Sequence, residues 1–254
     1  MKGLNRRLNR TVIGLGLMVL VWLYLSTVNQ YRGDFNAGFW GFLLLLKTKI
    51  LFILPAFVVG SVLHEMAHAY VAFLGGDPTG MMQGRISFDP RRHMDPMGTM
   101  FILVANFGWA KPVPINRSRL KNPQRDFILA AAAGPLANFL VAAGSILFVR
   151  LAFPNLTPNA LSGASWVTSN TIEFFQWMAV INAFLGVFNL FPVHPLDGSR
   201  FLEITLSPKQ LYWYNQNQSM ITMIFIAALL MGVLDPIFLG INALVFGAMF
   251  STMI

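Results

Sequence analysis

The chain has 254 residues, a net charge of +8, 56% hydrophobic and 11% charged residues, and no cysteine. Soluble domains run near 25% charged, so this composition excludes a water-soluble globular domain, intrinsic disorder, collagen, a coiled coil, and any disulfide or thiolate-metal scaffold. What remains is an all-α polytopic membrane protein. Its Lys and Arg gather between apolar stretches, which is the positive-inside bias and not a nucleic-acid footprint.

Lys2, Arg6, Arg7 and Arg10 precede an apolar run, Thr11–Val28. Such a start also suits a signal peptide, but no small-residue cleavage site follows and the run is about long enough to cross a bilayer. Residues 11–28 are therefore the first predicted span, with the N-terminus cytoplasmic. Phe39–Leu46 is too short to span and is predicted to be interfacial. The second span is predicted over Thr48–Leu74, stopped by Gly75-Gly76 and Asp77-Pro78. Residues 77–97 are polar, and Gly84–Phe88 alternates polar with apolar, the pattern of a short strand or hairpin. Gly98–Trp109 is apolar but only about a dozen residues long. It has basic flanks on both sides, Arg85, Arg91 and Arg92 before it and Lys111, Arg117, Arg119, Lys121 and Arg125 after it. Two cytoplasmic flanks need an even number of crossings between them, so this segment is expected to be re-entrant or interfacial.

The third span is predicted over Asp126–Val149, followed by an exterior loop rich in Asn, Ser, Thr and Pro. The fourth is predicted over Thr171–Phe191. Ser199–Asn217, with Arg200, Lys209, Tyr212, Trp213 and Tyr214, has the composition of a cytoplasmic interface. The fifth is predicted over Ser219–Leu234. Pro236 then either kinks one long helix or sets off a sixth over 237–254. The expectation is about six transmembrane helices in a single membrane-embedded domain, 1–254. Its core is 48–200, its peripheral helices are 11–28, 219–234 and 237–254, and both termini are cytoplasmic.

The strongest chemical signal is His64-Glu65-Met66-Ala67-His68, inside the second span. A charge at mid-membrane costs at least about 2.5 kcal/mol, so polar residues here call for a use. Histidines at i and i+4 lie on one helix face and can reach one metal ion. Zinc suits two His plus a carboxylate with one position left open. Glu65 points about 100° around the helix, where it can take a proton from water activated by the metal without ligating it. The third ligand comes from His93, His194 or a carboxylate. Asp197 follows the fourth span in Asn189-Leu-Phe-Pro-Val-His-Pro-Leu-Asp-Gly198, a stretch interrupted by two prolines and a glycine. Broken helices at membrane depth occur where they are buried or line a polar cavity. The second and fourth spans run in the same direction, which puts His64, His68 and Asp197 at similar depth toward the cytoplasm. His194 is the alternative ligand.

These two motifs, in this order and each on a membrane helix, resemble the site-2 protease family of intramembrane zinc proteases, whose pattern is HExxH followed by N-x-x-P-x-x-x-L-D-G. Asn189, Pro192, Leu196, Asp197 and Gly198 fall in register. Gly134-Pro-Leu-Ala-Asn138 is similar to a third element of the family, and Phe107-Gly-Trp-Ala-Lys-Pro-Val-Pro114 to its compact bacterial and archaeal members. The resemblance covers roughly 48–200. It implies a Zn2+ ion held by His64, His68 and Asp197, Glu65 as catalytic base, and Asn189 with Asn138 on the substrate backbone. It also implies regulated intramembrane proteolysis of membrane-anchored protein substrates, in a prokaryotic cell membrane and with the active site toward the cytoplasm. No stretch is long enough for a PDZ domain or a nucleotide-sensing module, so control by either is not expected.

Gly84–Phe88 could pair with an unwound substrate by strand addition or simply connect two segments. Three alternatives compete with proteolysis: a metal transporter, a non-proteolytic zinc-binding membrane protein, and a pseudoprotease that holds clients. A transporter would spread ionisable residues along a path and often repeat itself. Here they cluster at one depth, and Glu65 would be superfluous for holding zinc alone.

Overall fold

The computed structural model describes residues 35–105, 108–154 and 163–250, with Thr157 and a few positions between 21 and 27. The predicted first span, 11–28, lies almost wholly outside the described residues. In chain order the helices are α1 (Phe35–Thr48), α2 (Leu54–Leu74), α3 (Thr79–Met82), α4 (Pro96–Ala105) and α5 (Pro123–Ala152), followed by α6 (Trp166–Asn189), α7 (Gly198–Thr205), α8 (Pro208–Gln216), α9 (Gln218–Leu230) and α10 (Asp235–Phe250). A π-helical turn, Lys49–Ile53, stands between α1 and α2. Three helical runs among the described residues are long and apolar enough to cross a membrane: Asn36–Leu74, Pro123–Ala152 and Trp166–Asn189.

The chain divides into two compact units. The first, Met1–Leu54 with Pro96–Gly108, contains α1 and α4. Thr48 keeps helical angles, so α1 passes into the π-helical turn without a break, and Lys47 Nζ lies 5.4 Å above the Phe52 ring. Helix α4 has ten residues, a length of about 15 Å and half the hydrocarbon thickness. The described helical part of the predicted segment at 98–109, residues 98–105, is thus too short to span.

The second unit, Pro55–Asp95 with Trp109–Ile254, contains α2, α3 and α5 to α10 and all the candidate site residues. Helix α5 explains its arrangement. Leu129, Leu136, Leu140, Leu147 and Leu151 are all exposed. Their alternating spacings of seven and four residues put them on one face. The buried face is small: Ala130, Ala131, Ala133, Gly134, Ala142 and Ser145. An exposed leucine stripe suits lipid, and a small-residue stripe lets neighbouring helices approach closely. At the far end, Val149 of α5, Ile172, Ala179 and Val180 of α6, and Ile241, Val245, Met249 and Phe250 of α10 form one apolar cluster.

Two sequence expectations need correction, and a third, the last two spans, is not confirmed. Helix α5 begins at Pro123, not Asp126, because Asn122 caps it: its Oδ1 accepts from the Arg125 N–H at 3.0 Å, and proline fills the first helical position. Gly84–Phe88 forms no strand; among the described residues the sole bridge is Met94–Ala110. Gly84 has φ +68°, outside the extended region, and the buried Arg85 is turned onto the carbonyls of Lys111 and Pro112. The alternation arises because Ile86 and Phe88 line an apolar groove against Leu63, Met66 and Tyr70 of α2 and Leu140 of α5. Finally, α9 and α10 have 13 and 16 described residues, fewer than the roughly 20 a span needs. Gly232 at φ +75° turns the chain between them.

Candidate metal centre

Helix α2 turns one face inward, burying Phe57, Gly60, Ser61, His64, Glu65, His68 and Ala72. On that face the Nε2 atoms of His64 and His68 lie 2.9 Å apart. Asp197 Oδ2 lies 3.0 Å from each of them. All three side chains are buried, and together they form a group that could hold a metal ion. The other nitrogen of each ring is engaged: His68 Nδ1 lies 2.6 Å from the Ala130 carbonyl and His64 Nδ1 2.6 Å from Asn138 Oδ1. A carbonyl only accepts, so His68 Nδ1 carries the proton and its Nε2 turns a lone pair to the centre. A carboxylate oxygen and bare imidazole nitrogens this close repel one another unless a cation stands among them. Bonds of about 2.0–2.1 Å around a tetrahedral zinc set ligand atoms roughly 3.3–3.4 Å apart. The observed 2.9–3.0 Å set is slightly tighter than that, so the residues fit zinc.

Close approach of α5 makes this grouping possible. A Cβ on Gly134 would overlap His68 Nε2 and come within 2.7 Å of His64 Cε1. Asp197 reaches the centre because α6 stops at Asn189 and the chain doubles back through 190–197. Gly198 permits the fold-back, since a Cβ there would collide with the carbonyl oxygens of Leu190 and Phe191. Tyr214 of α8 donates to the Pro192 carbonyl and accepts from the His194 N–H, and Thr222 of α9 donates to the His194 carbonyl. Asp197 Oδ1 faces away from the histidines, 3.7 Å from Arg200 Nη1.

Glu65 is buried beside the two histidines on α2. Its Oε2 accepts from the Val113 N–H at 2.9 Å and lies 3.7 Å from Arg85 Nη2. Arg85 in turn donates to the carbonyls of Lys111 and Pro112. One cation therefore holds both the carboxylate and the loop that supplies its backbone donor.

The other candidates sit elsewhere. His194 is exposed and held through its main chain, away from the three-ligand group. His93 is fully buried between 84–88 and 110–111, its Nε2 against the Ser87 carbonyl and its own carbonyl accepting from Lys111. Burial pushes its pKa down, keeping it neutral. Asn189, half-buried at the end of α6, donates back to the Leu185 carbonyl. Asn138, expected on the substrate backbone, is fully buried with both ends of its amide bonded inside the protein. It stands behind His64, with its oxygen on that ring and its nitrogen on the Gly60 carbonyl and Asn182. Sequence reasoning missed the Val113 N–H and the part played by Arg85. Arg85 reads from sequence as a flanking charge inside a candidate strand, and a backbone donor leaves no trace in residue type.

Fold and site together define a metallopeptidase of the HExxH class. The family model for peptidase family M50 matches residues 52–232. YwhC of Bacillus subtilis, described as a candidate zinc metalloprotease, is 38% identical over 157 residues, which is 62% of this chain and 70% of YwhC. Rip2 of Mycobacterium tuberculosis, described in the same way, is 28% identical over 163 residues, covering 62% of this chain and 58% of Rip2. The zinc metalloprotease MJ0392 of Methanocaldococcus jannaschii is 26% identical over 196 residues, covering 77% of this chain and 42% of its own length. No solved structure gives a significant match. The chain belongs to peptidase family M50, the site-2 protease family.

Proposed function

We propose that the chain is an intramembrane zinc endopeptidase that hydrolyses peptide bonds in or near the membrane segments of anchored protein substrates. The observation that carries this reading is the buried His64–His68–Asp197 group with Glu65 beside it, on helices apolar enough to span a bilayer. His64 Nε2, His68 Nε2 and Asp197 Oδ2 are the metal ligands. Zinc held there supplies Lewis acidity toward the scissile carbonyl.

Glu65 is the proton carrier. Its Oε2 is tied to the Val113 N–H, so Oε1 takes the proton from the attacking water and returns it to the leaving amine. Arg85, 3.7 Å from Oε2, keeps that carboxylate aimed. Asn189 is the candidate for holding substrate backbone. The apolar groove between α2 and α5, roofed by Ile86 and Phe88, supports an apolar substrate segment lying alongside the catalytic helix. Basic residues crowd the loops on the side of the centre, from Arg85 to Arg125. By the positive-inside rule that side is cytoplasmic.

The test is Glu65→Gln, which keeps size and hydrogen bonding but cannot accept a proton. Cleavage of a single-span substrate with helix-weakening residues near its cytoplasmic end should fall about 10²–10⁴-fold, with zinc content unchanged. Equal cleavage by variant and parent would make Glu65 structural. Zinc binding without cleavage by either protein would favour a scaffold or transporter.

A further inference from the structure

Asn182 lies in the middle of the most apolar part of α6 and is completely buried. Nothing in the proposed chemistry uses it. An unused amide at this depth would be costly, and its surroundings are unusually specific. Its Nδ2 donates to the carbonyls of Met178 at 2.9 Å and Ala56 at 3.4 Å. Carbonyls accept only, so these bonds fix which end of the amide is nitrogen. Asn182 Oδ1 must then face the other way, where it accepts from Asn138 Nδ2 at 2.9 Å. Asn138 Nδ2 also donates to the Gly60 carbonyl at 3.1 Å, which fixes the second amide in the same sense. Asn138 Oδ1 is left facing His64 Nδ1 at 2.6 Å. An amide oxygen only accepts, so the proton on His64 must sit on Nδ1 and the lone pair on Nε2.

We infer that Asn182 and Asn138 form an oriented amide relay that sets the tautomer of His64, so that Asn182 is a positioning residue for a metal ligand it does not touch. The inference rests on the proposed reading of His64 as that ligand. The relay starts from backbone carbonyls of α2 and α6, passes through α5 and ends on the imidazole. His68 needs no such relay because the Ala130 carbonyl fixes its proton directly. Room for the relay comes from Gly60, where a Cβ would overlap Asn182 Oδ1. Partners behind a metal-binding histidine typically change metal affinity about 10–100-fold when removed. The link in contact with His64 should therefore matter most, and the remote one less.

The experiment is a double-mutant cycle in zinc affinity, measured by chelator competition on the purified full chain. Asn138→Leu should weaken zinc about 10–100-fold, and Asn182→Leu by a smaller factor. If the two act in series, the double variant should bind zinc no more weakly than Asn138→Leu alone. Gly60→Ala should reproduce the Asn182→Leu effect. Nitrogen NMR of histidine-labelled, metal-free protein gives a second readout. His64 should be protonated on Nδ1 in the parent and should shift toward Nε2 in Asn182→Leu and Gly60→Ala. Parent-like zinc affinity and an unchanged His64 tautomer in Asn182→Leu would overturn the relay, as would fully additive losses in the double variant. If the parent holds no zinc, the proposed function fails, while the His64 tautomer still decides the relay. If the leucine variants do not fold, Gly60→Ala carries the test.

Discussion

Gly134→Ala isolates the packing that brings the ligands together. The added Cβ would lie 2.5 Å from His68 Cε1 and 2.7 Å from His64 Cε1, where carbon atoms normally rest at about 3.5–4.0 Å. Each ring would have to retreat by roughly 1 Å, and neither has room. His64 is backed by Asn138 and His68 by the Ala130 carbonyl, both already at 2.6 Å. Overpacking of this kind costs about 1–3 kcal/mol. Borne by the metal complex alone, that is a zinc affinity roughly 5–150-fold weaker. Gly144→Ala is the control, because it sits in the same helix with nothing within 4 Å of the new Cβ. It should leave zinc affinity unchanged and add about 0.5–1 kcal/mol of stability. Chelator competition gives the affinities, and thermal unfolding in EDTA gives the metal-free stabilities. Parent-like zinc affinity in Gly134→Ala would refute the claim that α5 sets the ligand spacing.

Asp197→Ala should abolish stoichiometric zinc binding while His93→Ala retains it, as read by elemental analysis of purified protein; full zinc occupancy in Asp197→Ala would move the third ligand elsewhere. Because the chain has no cysteine, single introduced thiols report topology cleanly. Lys121→Cys should react with an impermeant thiol reagent only when the cytoplasmic side is opened, and Gly163→Cys from outside intact cells. The opposite labelling would invert the proposed orientation.

The centre was largely legible in the sequence because its signals are periodic or disruptive. His64 and His68 share a face by helical spacing alone, and Asp197 declares itself by ending a broken apolar run. What escaped has no such signature. Ile86 and Phe88 alternate with polar residues as a strand would, but they face a helical groove while Arg85 turns inward to a loop. Tertiary neighbours, not pairing, set that pattern. Asn138 reads from sequence either as a substrate contact or as a tie to a neighbouring helix, because its motif does not say which way the amide points; only the bonds to Gly60 and Asn182 do. Asn182 was invisible for a simpler reason: one amide in an apolar helix more often just ties two helices together.

The donor that holds Glu65 is a main-chain amide between two prolines. Pro112 and Pro114 have no N–H, so Val113 is the single residue of that tripeptide able to supply one, and it does so at 2.9 Å. A contact made by the backbone does not depend on the chemistry of the side chain, but Val113 is itself buried and packs close to Gly80. Exchange at 113 is therefore limited by the space around that side chain, and proline would remove the donor outright. The anchor of the Glu65 carboxylate is thus a main-chain group whose place is fixed by the two prolines beside it and by the burial of its own side chain.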